Sequence, residues 1–245
     1  MGQVSEQASS IVATTQPPVG PSLPDWSPPP LPTGVALDGM RIRLEPLNAG
    51  SHGGDLAQAL AGGEQDRLWT YMASGPFDSV PAFVTWLQRH AQADNRVSYA
   101  LVDPRSGHAL GLASYLRMDP AMGSLEIGHL CFGPQLQRTT ASTEALYLLL
   151  RHAFDGLGYR RCEWKCDHLN APSRRAAERL GFRFEGIHRQ AMVIKGRNRD
   201  TAWYSILDRE WPALRQELER WLAPENFDRE GRQRQRLGTA AVAAA

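Results

Sequence analysis

Apolar and polar positions alternate with period two along "MRIRLEPL" (Met40 to Leu47), which predicts a strand. "VSYALVD" and "ALGLASYLRM" predict two more, and the "PRSG" between them has turn chemistry, so the pair reads as a hairpin. "SLEIGHLCF" and "RRCEWKC" continue the strand pattern. In the second of these Cys162, Trp164 and Cys166 fall on one face, which predicts a buried strand face. The period then changes. Leu146, Leu149, Leu150, Ala153, Phe154 and Leu157 recur at helical spacing, and Gly158 ends the run. "DSVPAFVTWLQRHA" offers Asp78 or Ser79 as a cap and Pro81 in its first turn, so it predicts a helix. "APSRRAAERLGF" predicts a short helix from Pro172 to Gly181. "MVIK" and "TAWYSIL" flank "GRNRD", a second expected hairpin, and Asp208 is the expected cap of "REWPALRQELERWL". Antiparallel strands followed by alternating strands and helices predict a mixed α/β (α+β) layer fold. No internal repeat is present.

The pattern fails at both ends. Residues 1–35 are dense in proline and poor in large apolar side chains, so they are expected to be a disordered extension. Residues 224–245 are polar and then alanine-rich and are expected to be a flexible tail. The folded domain is expected over 36–223.

Composition narrows the function classes. Hydrophobic residues make up 42% and charged residues 22% of the 245, ordinary values for a globular domain. The net charge of +1 gives no bulk field for nucleic acid or an anionic membrane, so neither is an expected partner. No apolar run approaches the ~20 residues needed to span a bilayer, and the N-terminus lacks a secretory pattern. Three cysteines do not make a disulfide framework, so a reducing, cytoplasmic setting is expected. Cys162, Cys166 and His168 have a spacing unlike standard zinc sites, and no metal is expected. A Gly-x-Gly-x-x-Gly dinucleotide turn is absent from the sequence.

Four stretches carry a resemblance: "LEIGHLCF", "LQRTTASTEALYLLLRHAF", "HLNAPSRRAAERLGFRFEG" and "GRNRDTAWYSI". Together, and in this order, they resemble the GCN5-related N-acetyltransferases, in particular the branch of the ribosomal-protein N-terminal acetyltransferases. The resemblance covers about Met40 to Trp211. It implies a central, splayed, seven-stranded mixed sheet flanked by about four to five helices. It also implies acetyl-coenzyme A as donor, an amine as acceptor, and a monomer or homodimer.

Within that resemblance Gln137, Arg138, Thr139, Thr140, Ala141, Ser142 and Thr143 occupy the pyrophosphate loop. The family's loop has a glycine where Thr140 stands and a second small residue at Ser142. Glycine permits close backbone approach, whereas a helix N-terminus binds an anion through its N–H groups and dipole. Thr139, Thr140, Ser142 and Thr143 are therefore expected to offer hydroxyl donors in place of glycine access. Arg138, Arg174 and Arg175 are candidates for the coenzyme's phosphates.

Acetyl transfer to an amine needs the neutral amine. With a pKa of ~10.4, a lysine-like amine lies about 4 kcal/mol from that form at neutral pH. Glu126 resembles the family's base. His129, on the same strand and expected on the same face, is the reserve base. The thiolate leaving group, pKa ~8.5, makes little demand on a general acid. The slot of the family's acid tyrosine here holds Ala177, and Ser173 is the substitute candidate. Leu130, Cys131 and Phe132 map to the strand bulge that supplies oxyanion N–H groups, and Asn170 to an asparagine that binds the pantetheine or the intermediate. Trp69, Tyr71 and Phe77 are candidates for an acceptor slot, with Arg199 and Asp200 beside it. The rival from another class is a module of the same fold that binds an acyl-coenzyme A or other ligand without turnover.

Overall fold

The computed structural model of the chain describes residues 19–239. Its eight strands are β1 (Leu37–Asp38), β2 (Arg43–Pro46), β3 (Arg96–Val102), β4 (Ala109–Asp119), β5 (Ser124–Phe132), β6 (Arg161–Asp167), β7 (Arg183–Ile194) and β8 (Arg197–Leu207). They form one sheet in the order β1-β2-β3-β4-β5-β6-β8-β7. Seven strands were expected; the two-residue β1, paired with β2, is the addition. Five α-helices complete the fold: α1 (Ala49–Leu60), α2 (Val80–Ala91), α3 (Thr140–Arg151), α4 (Ala171–Arg179) and α5 (Trp211–Leu222).

Neighbouring strands are antiparallel except β5 and β6. That one parallel pairing matches only Ser124–Glu126 with Arg161–Glu163. Beyond Glu126 the two strands part. The expected splay is therefore located at one residue step, and backbone groups of β5 beyond it face a gap instead of a strand.

The sheet separates two apolar clusters. α1 and α2 pack Leu56, Leu60, Phe83 and Leu87 on Ala100, Val102 and Leu112. On the other face α3, α4 and α5 cover Tyr99, Tyr115, Ile127 and Tyr204. α3 is buried without a break from Ser142 to Leu150, and full burial of each leucine is worth about 1.5–3 kcal/mol. The predicted face of Cys162, Trp164 and Cys166 is in this second cluster. By alternation Glu163 and Lys165 point the opposite way, in register with Ser205 and Trp203 of β8. That half of the sheet's α1/α2 side carries largely buried charged side chains.

Several boundaries move. The helix after Thr140 turns into a single π-turn at His152–Gly156 before Gly158 closes it. The last helix begins at Trp211, not at Asp208, because Pro212 suits a first turn and residues 208–210 form a separate turn. The second hairpin turns at Lys195 and Gly196, both at positive φ, so most of "GRNRD" is strand.

The ends also differ from expectation where they are described. Pro29 and Pro32 are buried. Residues 224–239 return along α5: Asn226 donates to the Trp221 carbonyl at 2.9 Å, the Gly238 N–H reaches Glu217, and the Thr239 hydroxyl reaches the Arg179 carbonyl. Few apolar side chains are involved, which is why hydropathy alone read this segment as a tail. Residues 1–18 of the expected extension and 240–245 of the expected tail lie outside the described residues.

Candidate active site

A cavity of 270 Å³ opens where β5 and β6 part. That is just below the span of about 300–1,000 Å³ typical of ligand pockets. Its walls come from Trp86 of α2, the start of β3, from β4, β5 and β6, the first turn of α4, the loop Tyr71–Ser74 and the β7–β8 hairpin.

Glu126 lies on its floor and is 3% exposed. Its Oε2 takes Arg117 Nη1 at 2.5 Å and Lys165 Nζ at 3.1 Å. Lys165 is also held by Glu163 at 2.6 Å and sits 3.8 Å above the Trp203 ring. Oε1 has no hydrogen-bond partner among the described residues. Gly128 keeps the space beside it open, since a β-carbon there would stand 2.9 Å from Oε1. A buried carboxylate with one oxygen anchored and the other facing a cavity can accept a proton there.

Strict alternation would send His129, three residues after Glu126, to the opposite face. It lines the same cavity because β5 bulges: the register jumps from Ser114↔Gly128 to Leu112↔Cys131, and His129 adopts φ 48°. The bulge lies within the segment expected to supply N–H donors, Leu130 to Phe132. Leu130 lines the cavity, while Cys131 is buried against the other apolar cluster, where burial pushes its thiol up to about 12.

Arg96 Nη1 stands 3.1 Å from His129 Nδ1 and 3.0 Å from His90 Nδ1. One nitrogen with two hydrogens thus serves two imidazoles. Burial, first, then for His90 the neighbouring His129, and the charge of Arg96 on both, hold the rings neutral: His129 is lowered to about 4 and His90 to about 3. With each Nδ1 accepting, each proton sits on Nε2. The free nitrogen of His129 is consequently a donor. This geometry argues against the reserve-base role and suits a hydrogen-bond donor to developing negative charge.

The segment expected to be the pyrophosphate loop divides into the cap and the first turn of α3. Thr139 is the N-cap of α3: its Oγ1 accepts from the Ser142 N–H at 3.2 Å and donates to the Leu136 carbonyl at 2.7 Å. The Ser142 hydroxyl donates back to the Thr139 carbonyl at 2.7 Å, and Thr143 Oγ1 accepts from Arg179 at 3.0 Å. These three hydroxyls are therefore internal. Thr140 is the first helical residue, so it needs no glycine; the left-handed residue of the segment is Arg138, at φ 60°. The N–H groups of Thr140 and Ala141 belong to the first turn, where no intrahelical acceptor exists. They stand beside the exposed Arg138. Gln137 turns its amide back to the Phe132 carbonyl at 2.8 Å and braces the loop.

At the cavity's other wall Asn170 caps α4, accepting the Ser173 N–H at 3.2 Å. The Ser173 hydroxyl receives Trp164 Nε1 at 3.0 Å, and both Asn170 and Ser173 line the cavity. Ala177 is fully buried in the core. Arg174 is tied to Tyr204 Oη at 3.0 Å, while Arg175 is exposed.

The acceptor-side candidates divide as well. Tyr71 lines the cavity and donates to the Leu169 carbonyl at 3.2 Å. Trp69 does not line it: it is fully buried, with its Nε1 on the Leu60 carbonyl at 2.7 Å and Phe77 edge-on at 4.9 Å. Trp69 and Phe77 belong to the α1/α2 core. A second hydrogen bond joins the β7–β8 hairpin to this region, from Lys195 Nζ to the Trp69 carbonyl at 2.7 Å. Arg199 lines the cavity, whereas Asp200 serves the hairpin, accepting from the Gln190 N–H at 2.8 Å.

Sequence reasoning missed Arg96, Arg117 and Lys165. Lys165 had a signal: a cation between two buried-face residues of a strand must face the other side of the sheet and find partners there. Arg96 and Arg117 had none, because their roles depend on pairings across strands. Among the described residues no group of side chains is placed to hold a metal.

The Acetyltransferase (GNAT) domain family matches residues 41–183. Over 153 residues the chain is 28% identical to the "Putative ribosomal N-acetyltransferase YdaF" of Bacillus subtilis (strain 168), covering 60% of this chain and 81% of that protein. The crystal structure of a GCN5-related N-acetyltransferase from Brucella melitensis superposes with a TM-score of 0.86 at 46% identity, over 91% of this chain and all of that one. A structure titled as a "probable" GNAT-family acetyltransferase from Chromobacterium violaceum ATCC 12472 gives 0.74 at 45% identity, over 81% of this chain and all of that one.

Proposed function

Because the chain belongs to the acetyltransferase (GNAT) family and is an N-acetyltransferase, we propose that it takes the acetyl group from acetyl-coenzyme A and acetylates a primary amine by direct attack within a ternary complex. The amine is a protein N-terminus or a small molecule; the relative named for ribosomal transfer supports the first, and the cavity's size the second. The catalytic unit is residues 36–223.

One observation carries the mechanism: Glu126 keeps Oε1 open to the cavity while two cations fix Oε2. The amine nitrogen attacks the thioester carbonyl carbon, and its proton passes to Oε1 directly or through one water. The carbonyl oxygen gains negative charge. His129 Nε2–H and N–H groups of β5 beyond Glu126 are donors for it. When the C–S bond breaks, the coenzyme leaves as a thiolate of pKa ~8.5, which needs no strong acid. That fits an α4 helix with Ala177 where a phenol would be. The N–H groups of Thr140 and Ala141, with Arg138, hold the pyrophosphate, and Asn170 and Ser173 border the acyl end.

The test is thiol release from acetyl-coenzyme A across a panel of peptides and small amines. Amine-dependent release supports the proposal. Coenzyme binding without release across the panel would instead indicate a binding module.

A further inference from the structure

The cavity has more positive charge than its own carboxylates neutralise. Four cations line it: Arg96, Arg117, Lys165 and Arg199. Arg117 and Lys165 share Glu126, and Lys165 has Glu163 as well. Arg96 is satisfied by neutral acceptors alone, the two imidazoles and the Asn95 carboxamide at 3.4 Å. Arg199 makes no side-chain hydrogen bond to any described residue; its Nε is closed even to water, so an entering anion would meet the Nη atoms. The remaining acidic residue on the wall, Asp167, accepts the Leu169 N–H at 2.8 Å and forms an ion pair with neither arginine. Among the described residues no carboxylate lies within ion-pair distance of Arg96 or Arg199.

A half-buried guanidinium without an anion is costly in a folded protein, unless a ligand brings the anion. We propose that the acceptor carries an anionic group, carboxylate or phosphate, in addition to its amine, and that Arg199 receives it, with Arg96 adding to the cavity's positive charge. The inference rests on the cavity being the acceptor site of the proposed reaction. It selects among amines: small amino acids and phosphorylated amino alcohols fit, and polyamines, which would add positive charge to a positive cavity, do not. Guanidinium pairs with carboxylate or phosphate through two parallel hydrogen bonds, so the anion also fixes the amine's direction. The surplus positive charge acts on the amine too. It disfavours the ammonium form, which is the unreactive one.

The experiment uses two matched pairs, β-alanine with β-alaninamide and O-phosphoethanolamine with ethanolamine. Binding of each to the full-length protein saturated with coenzyme A is measured by calorimetry, for wild type and Arg199→Gln. The expected result is that the anionic member of at least one pair binds about 10-fold or more tightly than its neutral twin. Whichever pair shows it identifies the anion. In Arg199→Gln that preference should fall to about threefold or less, with coenzyme A affinity unchanged. Equal binding within both pairs, absence of binding by either anion, or a preference that survives Arg199→Gln would overturn the inference. Acetyl transfer is read separately, as thiol release, so an inactive protein that still prefers anions would refute the reaction and keep the anion site.

Discussion

Gly128 and Glu126 stand two residues apart on β5 and face the same side, with no side chain on the glycine to crowd the carboxylate. A β-carbon at 128 would meet Glu126 Oε1 at 2.9 Å and Leu116 Cδ1 at 2.7 Å. Both contacts are with side-chain ends, and Gly128 does not occupy the left-handed region. Gly128→Ala should therefore fold, with a melting temperature within a few degrees of wild type, while kcat/KM falls about 10-fold or more, because small displacements of reacting groups are expensive. Steady-state kinetics and a thermal melt on the same sample check this. Unchanged kinetics would show that the space beside Oε1 is unused.

The two cations on Glu126 differ in exposure, and so should their contributions. The Lys165 side chain is 6% exposed and the Arg117 side chain 55%. Lys165→Met leaves two nearby carboxylates without their buried cation and should cost about 3–5 kcal/mol in urea unfolding. Arg117→Ala removes a largely solvated partner and should cost about 1 kcal/mol or less. Equal losses would contradict the burial argument.

His90 and His129 give the stability a pH dependence of fixed sign. Both are lowered in the folded state, to about 3 and about 4, from an ordinary value of 6.5. Between these values and 6.5 the unfolded chain binds protons that the native state does not. Stability from this source is therefore complete above about pH 6.5 and falls as the pH drops toward 4, by several kcal/mol in order of magnitude. Urea midpoints from pH 7.5 to 4.5 should show the decline, and His90→Gln with His129→Gln should flatten it. A midpoint that is level over this range would mean that Arg96 does not hold two neutral rings.

At the start of α3, Thr139 is the helix cap, and the proposed pyrophosphate donors begin at Thr140. Thr139→Ala removes the cap and should cost about 1 kcal/mol of stability, with the coenzyme A Kd changed less than about threefold. Thr140→Glu places a carboxylate beside the N–H groups assigned to pyrophosphate and should weaken coenzyme A about 10-fold or more, with little effect on unfolding. Calorimetric titration with coenzyme A and urea denaturation decide it. A coenzyme Kd unmoved by Thr140→Glu would remove the loop from the binding site.

The legible part of the protein is what local pattern dictates. Period-two runs gave the strands, the leucine spacing after Thr143 gave α3, and alternation in "RRCEWKC" gave its buried face. Glu126 was legible through the motif around it. The rest depends on partners distant in sequence. Trp69 and Phe77 look like a slot in isolation and are core because α1 and α2 close over them. His129 reaches the cavity through a bulge, which breaks the alternation used to place it. Arg96 matters because His90 and His129, on other elements, both turn to it. The C-terminal segment is held by hydrogen bonds that hydropathy does not register.

In the proposed mechanism Glu126 takes the amine proton during acetyl transfer. Glu126→Gln keeps the shape and removes the base. With an acceptor found in the amine panel, kcat should fall by about 10²-fold or more, and coenzyme A affinity should stay within about twofold. A variant with the wild-type rate and pH profile would contradict the claim.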